Sequence, residues 1–521
     1  MEYLFLFIYS GNIENERIKE GAQRMLEPRY IPLFLGGLIA WIAVMIAVGY
    51  FTSRGKSNGK DFLTGGGNIN FFLTFCTLGA TMIGAGSSMG AVSNGFNYGW
   101  AGAIYGTGNA IGVLILATFA SSKNKGFLTM SEEAQYYYGG KKIIRQVMGF
   151  MMFIAEIVWL GNSINGGSKY LEFITDLNGN LCKLITVLGF GVYVFLGGYF
   201  AVVTTDAVQF VILITGFVFI ALRAFPLAGG YHTVAETFAE AGKGGSMEFY
   251  GIASYGLMPA LALVVSTLCG VVGSPTCRTR IYTAKSEKTA RNALLGQSAF
   301  VFFWGFITAI IGMCCFTIMV ANGDTLESGD FAFAYMATHV LGPAIGLLFM
   351  IAGMSATMSS GDSDAIAGIT ILLTDVYPSI TGKKVKEEKY QQYSRIALVV
   401  TLSIAFFITL FDKDIITYIS TVIGSLLPGM ACAMILGKYW KRANWQGGLA
   451  CIITGTLFGC AVLFIPPFQK VIANTFGGPA IPAFLIALIS AVAVSLLTPQ
   501  DNTSEEERLQ QVIVDRQSTT E

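Results

Sequence analysis

The sequence predicts an all-α, polytopic membrane protein with about thirteen transmembrane helices, on two observations. Hydrophobic residues make up 53% of the 521 positions, and charged residues only 12%, whereas a soluble domain carries roughly 25% charged residues. The mean hydropathy is +0.60. This composition excludes a soluble enzyme and a disordered protein, and a formal net charge of +1 gives no basis for a nucleic-acid partner.

The individual spans follow from runs of about 20 mostly apolar residues, the length that crosses roughly 30 Å of hydrocarbon. Each run is long enough to bury its backbone hydrogen bonds as a helix. In chain order the predicted spans lie near residues 31–52, 68–94, 100–121, 143–168, 182–200, 202–225, 250–275, 297–321, 340–374, 394–411, 414–437, 446–466 and 477–498.

Orientation follows from the loops, because lysine and arginine concentrate after the first, third, seventh, ninth and eleventh spans. The positive-inside rule then predicts a cell-membrane protein with its N-terminus outside and the tail 499–521 in the cytoplasm. The extension 1–30 does not fit the positive-inside rule, since it carries four basic residues on the predicted outer side. Translation from Met25 is one explanation of this charge, and an interfacial extension is the other.

Two spans are rich in small residues. The stretch Leu78–Gly90 contains four glycines, and the seventh span ends in the weakly helical run Ser266–Pro275. Glycine costs about 1 kcal/mol relative to alanine in a helix interior, so these runs indicate either close helix packing or a pair of discontinuous helices.

Because the two small-residue spans lie five spans apart, we favour discontinuous first and sixth core helices in a five-plus-five inverted repeat. Unwound backbone at membrane depth lines a cavity, where its carbonyls can bind a cation and half-helix N-termini favour an anionic group. The predicted units are a peripheral helix at 31–52, a first repeat at 68–225, a second repeat at 250–437 and two peripheral helices at 446–498.

The ninth span carries polar groups that are expensive in a bilayer. Ser359, Asp362 and Ser363 are spaced i, i+3 and i+4, so they share one helix face with Ala356. Oxygen ligands on one stripe suit a hard cation such as Na+. The alternative is that the hydroxyls bond back to carbonyls one turn earlier.

Three further acids lie in predicted spans. Asp206 begins the sixth span, where a helix N-cap is the alternative to a cation site. Glu156 is followed by Trp159 and Asn162, and a polar contact between helices explains it as well as a solute-binding role does. Asp364, near a helix end, is either solvated or directly involved.

Three stretches of the chain resemble the sodium/solute symporter family, whose members share the inverted-repeat fold of the bacterial leucine transporter. Gly197-Gly198 precedes Thr205-Asp206 and Gln209, as in the family's GG…TD..Q signature. Residues 273–286 and 356–377 are similar to its G-Q-P…R…A segment and to its eighth core helix. The resemblance covers roughly residues 30–445.

The resemblance implies a main Na+ site and names Na+ as the coupling ion. Its ligands would be the backbone carbonyls of Ala80, Ile83 and Ala356 and the hydroxyls of Ser359 and Ser360. Five uncharged oxygens at a helix break fit a weakly held Na+.

The resemblance also implies a possible second cation or proton site, made by Asp206, Ser359, Asp362 and Ser363. Asp362 stands where the two-sodium pattern has a hydroxyl, and two adjacent carboxylates either hold a cation or share a proton. The stoichiometry stays open between one Na+, two Na+, and Na+ with H+.

By position in the family, the candidate solute-pocket residues are Ser87, Trp159, Asn162, Ser266 and Thr267. Ser274 replaces the family's usual glutamine, and the pattern of the sugar-transporting relatives is absent. The resemblance therefore favours an amino acid or a carboxylate, with a sugar, polyol or vitamin as the alternative.

Together these observations predict a secondary transporter, not an enzyme, that couples Na+ entry to uptake of a small organic solute by alternating access. The expected partners are the solute and the lipid bilayer, with no nucleic acid and no obligate protein partner. An ion channel and a membrane sensor are the alternatives from other classes.

Overall fold

The computed structural model describes residues 26–53, 67–386, 389–410 and 415–517, and in this part of the chain helices and short turns account for the fold apart from one isolated bridge. Most of the predicted extension 1–30, including Met25, lies outside the described residues. The all-α prediction is confirmed.

The first half of the chain follows the predicted order of spans. Two of them, 182–200 and 202–225, lie within one long helical stretch. The helices are α1 (Ile31–Ser53), α2 (Phe71–Met82), α3 (Ala91–Tyr98), α4 (Ala103–Ala117), α5 (Met130–Tyr137), α6 (Lys142–Thr175), α7 (Gly179–Leu227) and α8 (Gly230–Glu240).

The second half contains the longer helices of the bundle and a short C-terminal helix. Its helices are α9 (Leu257–Val272), α10 (Pro275–Thr283), α11 (Glu287–Asn322), α12 (Pro343–Ile371), α13 (Tyr390–Thr409), α14 (Ile415–Tyr439), α15 (Trp445–Phe464), α16 (Pro466–Phe476), α17 (Ala480–Leu497) and α18 (Glu505–Gln517). Helix α12 continues through a wide turn at Leu372–Val376 into Tyr377–Thr381.

Within the described residues, ten helices are long and apolar enough to cross a membrane, and eleven if the bent pair α9 and α10 counts as one span. Their outer faces carry exposed apolar side chains such as Leu222, Phe303 and Leu348, which suit contact with lipid tails rather than water. The chain is thus a multi-pass membrane protein, and the count of thirteen spans stays a prediction.

Both predicted helix breaks are present. Helix α2 ends at Met82, Ile83 leaves the helical conformation at φ −98° and ψ 66°, and the chain winds again through the wide turn Gly86–Gly90 into α3. Helices α9 and α10 meet at Gly273–Ser274 with a bend of 41°. The first and sixth core helices are therefore discontinuous, as the inverted-repeat fold requires, while the boundaries of the repeats stay a prediction.

Proline and serine explain why the second helix restarts where it does. Pro275 occupies the first turn of α10, where the missing N–H would have no partner in the helix. Ser274 precedes it in an extended conformation, which proline favours in the residue before it.

Small residues also bring helices close together, so the packing explanation holds elsewhere in the bundle. A methyl group added at Gly95 in α3 would lie 2.7 Å from the Ala309 carbonyl of α11, and one at Gly312 would collide with the Val92 carbonyl. These are backbone atoms, which cannot swing aside. Glycine therefore fixes the distance between α3 and α11.

The C-terminal helix α18 packs against α5. Arg516 forms an ion pair with Glu132 at 2.5 Å, Gln135 donates a hydrogen bond to Asp515 at 2.6 Å, and Tyr136 donates one to Glu505 at 2.8 Å. The tail predicted at 499–521 therefore includes a docked helix.

The close approach at Gly95 yields a stability prediction. Gly95→Ala should lower the free energy of unfolding by about 1–3 kcal/mol, because the new methyl group overpacks against backbone. Thermal melting of the purified protein measures the change.

The matched control is Gly36→Ala in α1, where an added methyl group meets nothing within 4 Å. This change should be neutral or stabilise by up to about 1 kcal/mol, because alanine is the better helix former. Equal melting temperatures for the two variants would contradict the packing argument.

Candidate functional site

The first helix break meets two serine hydroxyls of α12. The last backbone hydrogen bond of α2 runs from the Ile83 N–H to the Gly79 carbonyl. Beyond it, the Ala80 carbonyl lies 2.9 Å from Ser359 Oγ and 3.3 Å from Ser360 Oγ, and the Thr81 carbonyl lies 3.1 Å from Ser360 Oγ. Hydroxyls of another helix thus replace backbone partners where the chain unwinds.

The same cluster gathers more oxygen acceptors than protons. Ser359 Oγ also lies 2.8 Å from the Ser355 carbonyl and 3.3 Å from the Ala356 carbonyl, yet the two hydroxyls supply one proton each. The bond back to a carbonyl one turn earlier is therefore present as well. The Ala80 and Thr81 carbonyls, beyond the last backbone bond of α2, are the oxygens that a monovalent cation could take up. Among the described residues, no group of three or more histidine, cysteine or acidic side chains is placed to hold a metal ion.

Four of the five residues predicted for the main site therefore lie together: Ala80, Ala356, Ser359 and Ser360. The fifth, Ile83, is the residue at which the helix breaks. The neighbouring Gly84 is tight against the cluster, since a methyl group added there would lie 2.6 Å from Ser360 Oγ. All five are buried.

Asp206 and Ser363, predicted for a second cation site, meet at an arginine. Arg280 Nη2 lies 2.6 Å from Ser363 Oγ and 3.4 Å from Asp206 Oδ2, and Thr77 donates a hydrogen bond of 2.5 Å to the same carboxylate oxygen. Arg280 and Asp206 are both buried. A guanidinium of the protein therefore supplies the positive charge that the sequence analysis assigned to an ion.

The other two residues of that predicted site lie elsewhere along α12. Ser359 belongs to the cluster at the break, and Asp362 is fully buried one position before Ser363. Spacings of i, i+3 and i+4 keep Ser359, Asp362 and Ser363 on one broad face of α12, and a cation or proton site shared by all four residues stays a prediction.

A cavity lies between the two broken helices and α4, α6 and α12, with about 450 Å³ of space between its atoms, its open side included. It reaches from Ser360 one helical turn further, to Asp364. Its polar lining includes Tyr105, Asn109, Trp159, Asn162, Ser274 and Asp364. The cavity thus adjoins the oxygen cluster at the first break.

Two carboxylates meet at the start of α10. Glu156 accepts hydrogen bonds from the Thr276 N–H at 3.0 Å and from the Thr276 hydroxyl at 2.6 Å. The same hydroxyl lies 3.3 Å from Asp364 Oδ1. Glu156 thus forms a polar contact between α6 and α10, next to Asp364 of the cavity wall.

Of the five residues predicted for the solute pocket, Trp159 and Asn162 line this cavity. The other three are not among the residues that line it, and each bonds to a backbone carbonyl. Ser87 bonds to the Met82 carbonyl at 2.7 Å, Ser266 to the Ile419 carbonyl at 3.0 Å, and Thr267 to the Leu263 carbonyl at 2.9 Å.

Three further residues line the cavity but were not predicted as pocket residues from the sequence: Tyr105, Asn109 and Ser274. A signal for the first two was present, because a tyrosine and an asparagine spaced i, i+4 in an apolar span share one helix face. Ser274 was noted only as a departure from a motif.

Comparisons with known proteins identify relatives over most of this chain. The sequence model of the sodium:solute symporter family matches residues 62–455. A sodium/pantothenate symporter of Haemophilus influenzae is 25% identical over 442 residues, covering 80% of this chain and 88% of the relative. Sodium/proline symporter 2 of Staphylococcus saprophyticus is 23% identical over 499 residues, covering 91% and 96%.

Solved structures share the fold. A Na+-coupled sialic acid symporter in a substrate-bound, outward-open state matches with a TM-score of 0.74 at 17% identity, covering 90% of this chain and 99% of that one. The nucleobase-cation-symport-1 family transporter MHP1, in a closed conformation, matches with a TM-score of 0.55 at 14% identity, covering 86% and 97%.

The buried Arg280–Asp206 contact yields a double-mutant prediction. Arg280→Gln and Asp206→Asn should each lower the free energy of unfolding by about 3–5 kcal/mol, because each leaves a buried charge without its partner. The double variant should lose less than the sum of the two. Thermal melting of the purified variants measures these losses.

Arg291→Gln is the control, since Arg291 pairs with Glu287 at 2.6 Å on an exposed surface and should cost less than about 1 kcal/mol. Strict additivity of the two buried changes would show that the residues do not interact.

Proposed function

The chain belongs to the sodium:solute symporter family, and from this premise we propose that it carries a small organic solute together with Na+ across the cell membrane. The proposed orientation has the N-terminus outside and the C-terminal tail in the cytoplasm. It is a transporter and not an enzyme, as the names of its relatives describe symporters.

The single observation that supports the proposal best is the oxygen cluster at the first helix break. We assign the main Na+ site to the carbonyls of Ala80, Ile83 and Ala356 and the hydroxyls of Ser359 and Ser360. The distances of 2.9–3.3 Å between the Ala80 carbonyl and the two hydroxyls support this assignment. Bound Na+ would join the broken helix to α12.

The proposed mechanism is alternating access. Na+ from outside joins the two helices, stabilises the outward-open state and completes the adjacent cavity for the solute. Release then follows on the cytoplasmic side, where Na+ is scarce. Each inward charge gains about 2.3 kcal/mol per 100 mV of membrane potential, enough for roughly fortyfold accumulation of the solute before the Na+ gradient adds to it.

We propose that one Na+ moves in each cycle. The Arg280 guanidinium lies against Asp206 and Ser363. This contact supports a single Na+, because the arginine already provides the positive charge that a second Na+ would bring. Asp206 then acts as a gate contact on the route toward the cytoplasm.

For the solute, we propose an amino acid or a carboxylate. A proline symporter among the relatives supports the first class. A pantothenate symporter, whose solute is a vitamin that bears a carboxylate, supports the second.

The Na+ site gives a direct test. Ser359→Ala should raise the Na+ concentration for half-maximal thermal stabilisation at least about tenfold, because the site loses one ligand oxygen while its carbonyls remain. Melting curves of the purified protein are recorded against NaCl, with KCl at matched ionic strength as the reference salt.

Ser355→Ala is the matched control, since Ser355 lies one turn earlier in α12 and its hydroxyl bonds to the Ile351 carbonyl of its own helix at 2.8 Å. Its Na+ response should equal that of the wild type. If Ser359→Ala keeps the wild-type Na+ response, the assigned site is wrong.

A further inference from the structure

At the second helix break, a carboxyl group of the protein itself occupies the start of the half-helix. In discontinuous transporter helices, the exposed N–H groups at the start of a half-helix attract an anionic group of the solute. Here the Thr276 N–H, in the first turn of α10, donates to Glu156 Oε1 at 3.0 Å. Glu156 is fully buried. The helix start at which the sequence predicts an anionic solute group is therefore occupied by a carboxylate of α6.

A second carboxylate follows at the cavity wall. Asp364 lines the cavity and shares the Thr276 hydroxyl with Glu156. Within the part of the chain that the structure describes, no ion pair includes Glu156 or Asp364. The nearby Arg280 directs Nη2 to Ser363, Thr81, Thr77 and Asp206. Its Nη1 donates to the Thr276 carbonyl at 3.3 Å, next to the two carboxylates.

The rest of the cavity wall is uncharged. Its described lining contains Asp364 as the one carboxylate and no lysine, arginine or histidine. Asn162 is only 3% exposed, and its Oδ1 has no hydrogen-bond partner among the described residues. A ligand that brings both positive charge and N–H groups would satisfy the Asn162 acceptor and the Asp364 carboxylate in the same wall.

Aromatic side chains complete this environment. The Trp159 ring lies against the second break, because a methyl group added at Gly270 would be 3.0 Å from its Cζ2 atom. Tyr105 reaches the first break, since a methyl group at Gly86 would be 2.7 Å from its hydroxyl. Tryptophan and tyrosine rings are the faces on which cationic nitrogen binds best.

We propose that the transported solute carries a protonated amino group, for which Asp364 is the counter-ion and Asn162 Oδ1 the second acceptor. This inference rests on the proposed symport function and narrows its solute class to organic amines and zwitterionic amino acids, excluding simple monoanions. Glu156 is a positioning residue that holds Thr276, and through it Asp364, at the cavity wall.

The experiment compares charge classes on the purified full-length protein in saturating NaCl. The probes are the common amino acids, their carboxamides as cations, their N-acetyl derivatives as monoanions, and pantothenate and N-acetylneuraminate. Thermal stabilisation is the readout. We expect every stabilising probe to carry a protonated amine.

The variants then separate charge from shape. Asp364→Asn keeps the size of the side chain, and it should raise the half-saturating concentration of the best amine at least tenfold, which is about 1.4 kcal/mol. Asp364→Glu keeps the charge and should retain most of the affinity. If Asp364→Asn fails to fold, the charge class of the probes that stabilise the wild type still tests whether the solute carries a protonated amine.

Three results would overturn the inference: stabilisation by monoanions and not by amines, no stabilisation by any amine in the panel, or an Asp364→Asn variant that binds the best amine as well as the wild type does. The Na+ titration of the same wild-type sample distinguishes a failure of the proposed solute class from a failure of the proposed Na+ symport. If NaCl stabilises the protein relative to KCl and amines do not, only the solute class is wrong. If NaCl itself has no effect, the symport function fails first.

Discussion

A polypeptide cannot leave backbone groups without partners inside a bilayer, and the two helix breaks of this protein satisfy that constraint with different chemistry. At the first break, neutral serine hydroxyls of α12 lie against the carbonyls of Ala80 and Thr81. At the second, the Glu156 carboxylate accepts from the Thr276 N–H. Neutral oxygens can take up and release a cation, whereas a carboxylate at a helix start is a permanent partner. This asymmetry supports our proposal that the first break binds the ion and that the second holds a fixed contact.

Buried ion pairs connect the second half of the broken sixth core helix to its neighbours. Arg280 lies against Asp206 of α7, and Arg278 pairs with Glu133 of α5 at 2.9 Å. Removing either partner of a buried pair is strongly destabilising, although the intact pair adds little by itself. Such pairs are therefore better understood as devices that fix register: they hold α10 against helices from the other half of the chain while the cavity between the breaks stays open to a solute.

The sequence predicted what is encoded locally and missed what depends on distant partners. Glycine-rich runs were enough to place both breaks, because each signal lies within a few helical turns. The meeting of the first break with the serines of α12, 279 residues away, was expected only from the family resemblance. The arginine opposite Asp206 and the threonine between Glu156 and Asp364 join segments 74 to 120 residues apart, and periodicity within a span carries no information about them. Ser87 and Thr267 bond to carbonyls of their own helical segments and Ser266 to the Ile419 carbonyl, and their place in the solute pocket stays a prediction.

Hydrogen–deuterium exchange across residues 79–90 tests the central claim most directly, because this segment contains the unwound backbone. The purified wild-type protein is compared in NaCl and in KCl at equal ionic strength, without solute. If Na+ binds where Ala80, Ile83 and the serines of α12 meet, amides after the break should exchange more slowly in NaCl, while those of the peripheral helix α1 should be unchanged. Equal exchange in both salts, or protection confined to the Asp206–Arg280 contact, would contradict the account.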